Sequence, residues 1–194
     1  MKLFIFLLLC LPQFLFCQVN NFTIGIDVYQ GNQNISWSEL KNIGLTFGLA
    51  RSTIGTQKDK SLEKHLETFK NNNLVRGIYH YLKYNESIDK QVEVFLKSYN
   101  AELIDFPPIL DVERKFNLTA KGFSKKKFVQ KIKDWIDQVE TVTKRKVIIY
   151  TQKSAWLELT GNNRDFSKND IWLVDINKQN IENNTPRIPI GWNN

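Results

Sequence analysis

Two carboxylates, Asp111 and Glu113, are the residues of this sequence best placed to do chemistry. They close the apolar segment Pro107-Pro108-Ile109-Leu110, which predicts a buried strand. On a strand, residues i and i+2 point to the same face, about 6.6 Å apart along the chain. Burial and mutual repulsion would raise the pKa of one carboxyl group, which could then act as a general acid near neutral pH. Glu113 is the predicted acid and Asp111 its partner; solvent-facing carboxylates of an edge strand are the alternative, which the apolar neighbours disfavour.

A third carboxylate, Asp27, follows Ile24-Gly25-Ile26 near the C-terminal end of another predicted strand. In a β/α barrel the C-terminal ends of the strands face a common bowl, so Asp27 is expected near the first two carboxylates. An aspartate that merely caps the next turn is the alternative. Aromatic side chains suit a glycan cleft because their faces pack on sugar C–H groups. The aromatic residues expected at the strand ends are Tyr79, Tyr81, Tyr150 and Trp172, with Tyr29 in the first loop. The alternative is that these side chains pack in the barrel core.

Short apolar segments that alternate with amphipathic ones indicate the elements that would position these residues. Strands are predicted at residues 23–28, 46–51, 75–82, 108–113, 147–151 and 171–176. A short helix is predicted around Trp37, with a capping box at Ser36 and Glu39, and another before a stop at Gly161. Three longer helices are predicted from apolar stripes: Leu62/Leu66/Phe69, Ile88/Val92/Phe95/Leu96/Tyr99 and Phe128/Ile132/Trp135/Ile136/Val139. Such alternation predicts a parallel sheet with helices outside it. An open doubly wound sheet is disfavoured, because Tyr29-Gln30-Gly31 stands where a G-x-G-x-x-G loop would follow the first strand.

Residues 1–17 have the pattern of a secretory signal peptide. Lys2 precedes an apolar run up to Phe16 that is shorter than a membrane-spanning helix needs, and Cys17-Gln18 is a plausible cleavage point. A retained anchor is the alternative. Because both cysteines lie in this leader, residues 18–194 are expected to form one domain without disulfides. The expected location is extracellular or the lumen of an endolysosomal compartment.

Charge and composition limit the classes of molecule that this protein is expected to bind. The formal net charge of +7 favours attraction to anionic polymers such as bacterial walls, whereas the lysines lie on helices without a base-reading motif, which argues against nucleic acid. No residues have metal-ligand spacing, so neither metal nor cofactor is expected, and we expect a monomer without membrane contact after leader removal. His80 is expected to pack between barrel and helix, and His65 to lie on a helix surface. Sequons that could carry glycans begin at Asn21, Asn34, Asn85, Asn117 and Asn183.

In order along the chain, these segments resemble glycoside hydrolase family 25, the Chalaropsis-type lysozymes. The resemblance rests on Gly25-Ile26-Asp27-Val28 with Trp37, residues 47–55, Gly77-Ile78-Tyr79-His80-Tyr81, the segment from Pro107 to Glu113, Ile148-Ile149-Tyr150-Thr151, Ile171-Trp172 and Pro189-Ile190-Gly191-Trp192. It implies a modified β/α barrel that hydrolyses the β-1,4 bond between N-acetylmuramic acid and N-acetylglucosamine in peptidoglycan. By match, Glu113 would be the acid, Asp111 its carboxylate partner, and Asp27 would line the site. Arg51, Tyr79, Tyr150 and Trp172 would contact the glycan.

The sequence also departs from the family pattern. Its first loop is short, Ile54 stands where Glu is common, and Leu173-Val174-Asp175-Ile176 lacks the family's usual Tyr. The expected Trp-Gln-Tyr strand and the last strand with its aspartate do not occur before Asn194, so a C-terminally incomplete TIM-like barrel is expected. A catalytically inactive glycan-binding relative is therefore the alternative function. A chitinase-like hydrolase, whose catalytic strand also ends in Asp-x-Glu, is a third.

Overall fold

A computed structural model of the chain describes residues 23–32, 34–177 and 185–192. The predicted leader and the sequon asparagines Asn21 and Asn183 lie outside the described residues. The strands are β1 (Ile24–Val28), β2 (Leu45–Ile54), β3 (Gln57–Lys58), β4 (Val75–Tyr81), β5 (Ile109–Val112), β6 (Ile148–Gln152) and β7 (Ile171–Val174). The helices are α1 (Trp37–Asn42), α2 (Leu62–Asn71), α3 (Ile88–Ser98), α4 (Lys125–Thr143) and α5 (Lys153–Thr160), followed by a 3-10 turn at Ile190–Trp192.

Six of the strands form one parallel sheet in the order β1-β2-β4-β5-β6-β7, and β3 pairs antiparallel with β2. Each parallel strand lies beside its predecessor in the chain, which is the order of a β/α barrel; a doubly wound sheet reverses its order at a switch point. Among the described residues, β1 and β7 are the two edges of this path. The sheet therefore curls into a half-barrel, and the predicted α/β, TIM-like and incomplete fold is confirmed.

Side chains separate onto two faces of the curled sheet. The helices cover the convex face, and the whole predicted stripe of α4 is buried there: Phe128, Ile132, Trp135, Ile136 and Val139. The concave face carries a second cluster built on Leu49, Tyr79 and Ile109. Because side chains alternate along a strand, the residues that face the helices are fixed by burial, and those between them must face the concave side. None of the helices in the described ranges is long and apolar enough to cross a membrane.

Four local predictions have clear outcomes. Gly161 adopts a left-handed backbone, φ 70°, and ends α5 as predicted. The capping box at Ser36 is wrong: this side chain caps no backbone N–H, and its Oγ lies 3.4 Å from Ser38 Oγ instead. The surface position of His65 is also wrong, because α2 turns this buried ring towards the first loop, with Nε2 3.4 Å from the Tyr29 carbonyl oxygen. His80 is fully buried between sheet and helix and stacks on Trp135, as predicted.

Candidate active site

The C-terminal ends of the parallel strands line an open cleft of about 220 Å³. Every candidate site residue singled out in the sequence lies on its wall: Asp27, Arg51, Tyr79, Tyr81, Asp111, Glu113, Tyr150 and Trp172. Strand register explains the grouping. Tyr81 pairs with Asp111, Asp111 with Tyr150, and Tyr150 with Trp172, so four side chains form a row across β4 to β7. Neighbouring strands are about 4.8 Å apart, which places each member of this row within reach of the next.

Asp111 is the most buried acid of the cleft, with 4% of its surface exposed. Among the described residues, nothing donates a hydrogen bond to its Oδ1. Burial, and then the negative charges of Glu113 and Asp27, raise the pKa of Asp111 well above its ordinary value, against a smaller opposing effect of Arg51. Asp111 therefore binds a proton far more readily than an aspartate in water.

Glu113 follows the last residue of β5 and is half-buried. Asn117 Nδ2 donates to its backbone oxygen over 2.9 Å, and its carboxylate lies near the Tyr150 hydroxyl, whose pKa its charge helps to raise. Glu113 is thus held through its backbone, and its side chain is more exposed to the cleft than that of Asp111.

Asn117 is a buried connector that fixes the loop after β5. Its Nδ2 also donates to Leu82 O over 2.8 Å, and its Oδ1 accepts from Tyr84 N over 2.7 Å. Because the amide nitrogen is buried and makes two hydrogen bonds inside the protein, the folded chain cannot accept a glycan at this sequon. Asn117 therefore serves the geometry of Glu113.

Three tyrosine hydroxyls and a further acid also line the cleft. Burial, with the charge of Asp111 as the next cause, raises the pKa values of Tyr79, Tyr81 and Tyr150, so their hydroxyls keep their protons. Asp27 lies at the open edge of the sheet, where the protein around its carboxylate displaces enough water to raise its pKa. In the described part of the chain, no group of three or more His, Cys, Asp or Glu side chains is arranged to hold a metal ion.

Tyr29, the aromatic expected in the first loop, also lies on the cleft wall. The cleft further contains residues that the sequence did not single out as site residues, namely Ile54, Lys115 and Phe116. Phe116 has a left-handed backbone, φ 66°, and is 47% exposed. The ammonium groups of Lys115 and Lys83 lie 5.2 and 5.6 Å from its ring centroid. An apolar side chain between polar loop residues was the available signal, but φ cannot be seen in a sequence.

Arg51 reaches the cleft from β2 and is held on two sides. Its Nε and Nη2 both lie 2.8 Å from Asp59 Oδ2, and its guanidinium carbon lies 4.7 Å from the centroid of the Tyr29 ring. Asp59 was also missed, because nothing in the spacing of Lys58-Asp59-Lys60 links it to β2. The cleft thus combines three acids, one anchored cation, several aromatic faces and tyrosine hydroxyl donors.

Comparison with known proteins shows which family has this arrangement of residues. Residues 26–194 match the family described as glycosyl hydrolases family 25. The chain belongs to glycosyl hydrolase family 25. The described cleft lies wholly within the matched residues, so its acids and aromatics are those of a family-25 domain.

Individual relatives agree with this placement. The chain is 27% identical to the N,O-diacetylmuramidase of Chalaropsis sp over 87% of its own length and 82% of that protein. It is 32% identical to an uncharacterised Escherichia coli protein over 133 residues, which are 66% of this chain and 47% of that protein, so it spans about half the length of that relative. The muramidase structure from Trichobolus zukalii superposes with a TM-score of 0.75 at 26% identity, covering 87% of this chain and 82% of that one.

Proposed function

We propose that this family-25 chain hydrolyses the β-1,4 bond between N-acetylmuramic acid and N-acetylglucosamine in bacterial peptidoglycan. The observation that carries the proposal is the row of Tyr81, Asp111, Tyr150 and Trp172 across four parallel strands, with Glu113 beside it at the open end of β5. Similarity to proteins named muramidase and N,O-diacetylmuramidase supports the proposal that this bond is hydrolysed.

Glu113 is proposed as the general acid. It faces the cleft and is only half-buried, so a glycosidic oxygen can reach its carboxyl group. As the bond between the anomeric carbon and that oxygen breaks, the bond electrons stay on the oxygen, which takes the proton of Glu113. Water then adds to the anomeric carbon, directly or after attack by the substrate's own N-acetyl oxygen, and the proton that the water loses restores the acid form of Glu113. The anomeric configuration of the first product distinguishes these two routes.

We assign the two other acids different roles: Asp111 donates a hydrogen bond to the substrate, and Asp27 stabilises the positive charge that develops on the sugar ring. Asp111 is the buried member of the row, and its raised pKa lets it hold a proton in the ground state and donate a hydrogen bond to the substrate. Asp27 contributes negative charge from the opposite side of the cleft. Carboxylates near an oxocarbenium-like transition state stabilise it most strongly where water is excluded.

Glycan binding is assigned to Arg51, Tyr79, Tyr81, Tyr150 and Trp172. The rings of Tyr150 and Trp172 meet edge to face at 4.5 Å, which leaves aromatic surface turned towards the cleft for the C–H faces of sugars. The net charge of +7 favours approach to anionic cell walls. Together with the leader pattern, this supports action outside the cell or in a digestive compartment.

The proposal is tested by incubating the protein with purified peptidoglycan. Release of new reducing ends, with mass spectrometry showing muropeptides that end in N-acetylmuramic acid, is the expected result. Binding to walls without release would favour the inactive glycan-binding relative. Faster release from chitin oligomers than from peptidoglycan would favour a chitinase-like hydrolase, and either result would overturn the proposed function.

A further inference from the structure

Asp59 lies outside the cleft, in the connection from β3 to α2, but its contacts lead to the cleft wall. Its side chain is buried, with 1% of the residue exposed. Oδ2 accepts from Arg51 Nε at 2.8 Å and from Gln30 N at 3.2 Å and forms an ion pair with Arg51 Nη2 at 2.8 Å, and Oδ1 accepts from Ser61 N at 2.9 Å. One carboxylate therefore ties together the loop after β1, the strand β2 and the start of α2.

The backbone of Asp59 also contacts β2, at a bulge next to Arg51. The register of β2 and β4 shifts between Arg51, which pairs with Tyr79, and Thr53, which pairs with His80, so Ser52 is the extra residue of a β-bulge. Asp59 N donates to Ser52 O over 2.8 Å. Bulges beside active sites commonly re-aim a side chain, and here the bulge follows directly after Arg51. Asp59 thus fixes both the strand geometry that aims Arg51 and the end of its side chain.

The consequence concerns the third nitrogen of the guanidinium. Nε and Nη2 are bound to Asp59, whereas no acceptor in the described ranges bonds Nη1, and Arg51 lines the cleft. A free arginine side chain has rotamer entropy that would be lost on binding a ligand. Anchoring in the folded protein removes that loss in advance. The Tyr29 ring, 4.7 Å from the guanidinium, is fixed by the same arrangement.

We propose that Asp59 is a positioning residue that presents Arg51 Nη1 and the Tyr29 ring as a rigid wall of the cleft. Nη1 then donates to a carbonyl or carboxylate oxygen on a sugar substituent of the glycan. This inference rests on the proposed function for the identity of the ligand. The anchoring itself can be measured without any ligand.

The first measurement is the Arg51 Nε–H signal in ¹⁵N NMR spectra of the whole chain. Anchoring predicts a resolved signal with slow hydrogen exchange, assigned by its loss in Arg51→Met. The signal should lose its protection in Asp59→Asn and keep it in the matched control Glu63→Gln. Glu63 is an exposed acid on the adjoining α2, paired with Lys58. An unprotected signal in the wild type, or a protected one in Asp59→Asn, would overturn the positioning role.

The second measurement is a double-mutant cycle on affinity for a soluble peptidoglycan oligosaccharide, made well below the lowest melting temperature of the set. Asp59→Asn and Arg51→Met should each raise Kd about tenfold, and the double variant should lose no more than either single one. Losses that multiply would show that Asp59 acts through the fold alone and would refute the proposal. If Asp59→Asn does not fold, Asp59→Glu takes its place in the cycle, because it keeps the negative charge but displaces the carboxylate by one methylene, and the same non-additive tenfold loss is expected.

The outcomes separate this inference from the proposed function. A wild-type protein that releases reducing ends while Asp59→Asn binds as tightly as wild type refutes the positioning role alone. A wild-type protein that binds the oligosaccharide without cleaving it refutes the proposed hydrolysis, and the cycle on Kd still decides the role of Asp59. A wild-type protein that does not bind the oligosaccharide refutes both.

Discussion

The buried His80 predicts a specific loss of stability in acid. The ring is fully buried directly behind Tyr79 and Tyr81, with Nδ1 2.7 Å from Thr53 Oγ1 and Nε2 3.1 Å from Gln91 Oε1. It stacks on Trp135 at 5.2 Å. Burial lowers the pKa of His80 to about 4, against its ordinary value of 6.5. The native protein therefore holds this ring neutral at pH values where the unfolded chain has already protonated it.

The sign and size of this change in the free energy of unfolding follow from proton linkage. Between pH 6.5 and pH 4 the unfolded state binds more protons than the native state, so stability falls as the pH falls through this window. A difference of 2.5 between 6.5 and about 4 corresponds to about 3 kcal/mol at 1.36 kcal/mol per pH unit. Asp111 acts in the opposite direction, because its raised pKa means that the native state binds its proton first. A variant that lacks only the histidine separates the two effects.

The assay compares urea unfolding of wild type and His80→Gln at pH 7.5 and pH 4.0. The substitution has a pH-independent cost from lost stacking, but the stability gap between the two proteins should shrink by about 3 kcal/mol at pH 4.0. Because the chain has only two histidines, a ring NMR titration can be assigned with His65→Gln. A gap that is the same at both pH values, or a His80 ring already charged at pH 5.5, would refute the reasoning.

Three further outcomes are expected. Asp111→Asn should raise the free energy of unfolding at pH 7 by on the order of 1–2 kcal/mol while lowering glycan cleavage. The gain should shrink in acid, where the unfolded chain also protonates Asp111, and no gain in urea unfolding at pH 7 would contradict its costly burial. Phe116→Asn should keep stability within about 1 kcal/mol of wild type, because Asn tolerates positive φ, but weaken oligosaccharide binding several-fold in calorimetry. Asn117→Asp should cost roughly 2–4 kcal/mol, since Leu82 O and Glu113 O lose their donor; an unchanged urea midpoint would argue against this role.

Strand periodicity explains why so much of the cleft was predictable. The apolar segments that end in Asp27, Asp111 and Tyr150 specify buried parallel strands, and the alternation of side chains then places these residues on one face. Once the strands are in chain order, their C-terminal ends must meet. For this reason the candidate residues on different strands came together in one cleft.

What the sequence did not predict depends on turns and long-range hydrogen bonds. The hairpin between β2 and β3 needs Gly55 at φ 55°, and Phe116 needs φ 66°, and neither angle has a periodic signature. Asp59 contacts Arg51 only because that hairpin folds back on β2. His65 was assigned to the surface because its polarity suggests water, whereas the Tyr29 carbonyl gives its ring a partner inside.

Glu113→Gln tests the central claim most directly. Reducing ends released from purified peptidoglycan should fall at least about 100-fold, because the amide cannot supply the proton, while the Kd for a soluble oligosaccharide stays within about threefold of wild type. Glu93→Gln, which removes an exposed acid paired with Lys97 on α3, is the matched control and should release reducing ends at the wild-type rate. Undiminished cleavage by Glu113→Gln would contradict the assignment of Glu113 as the acid.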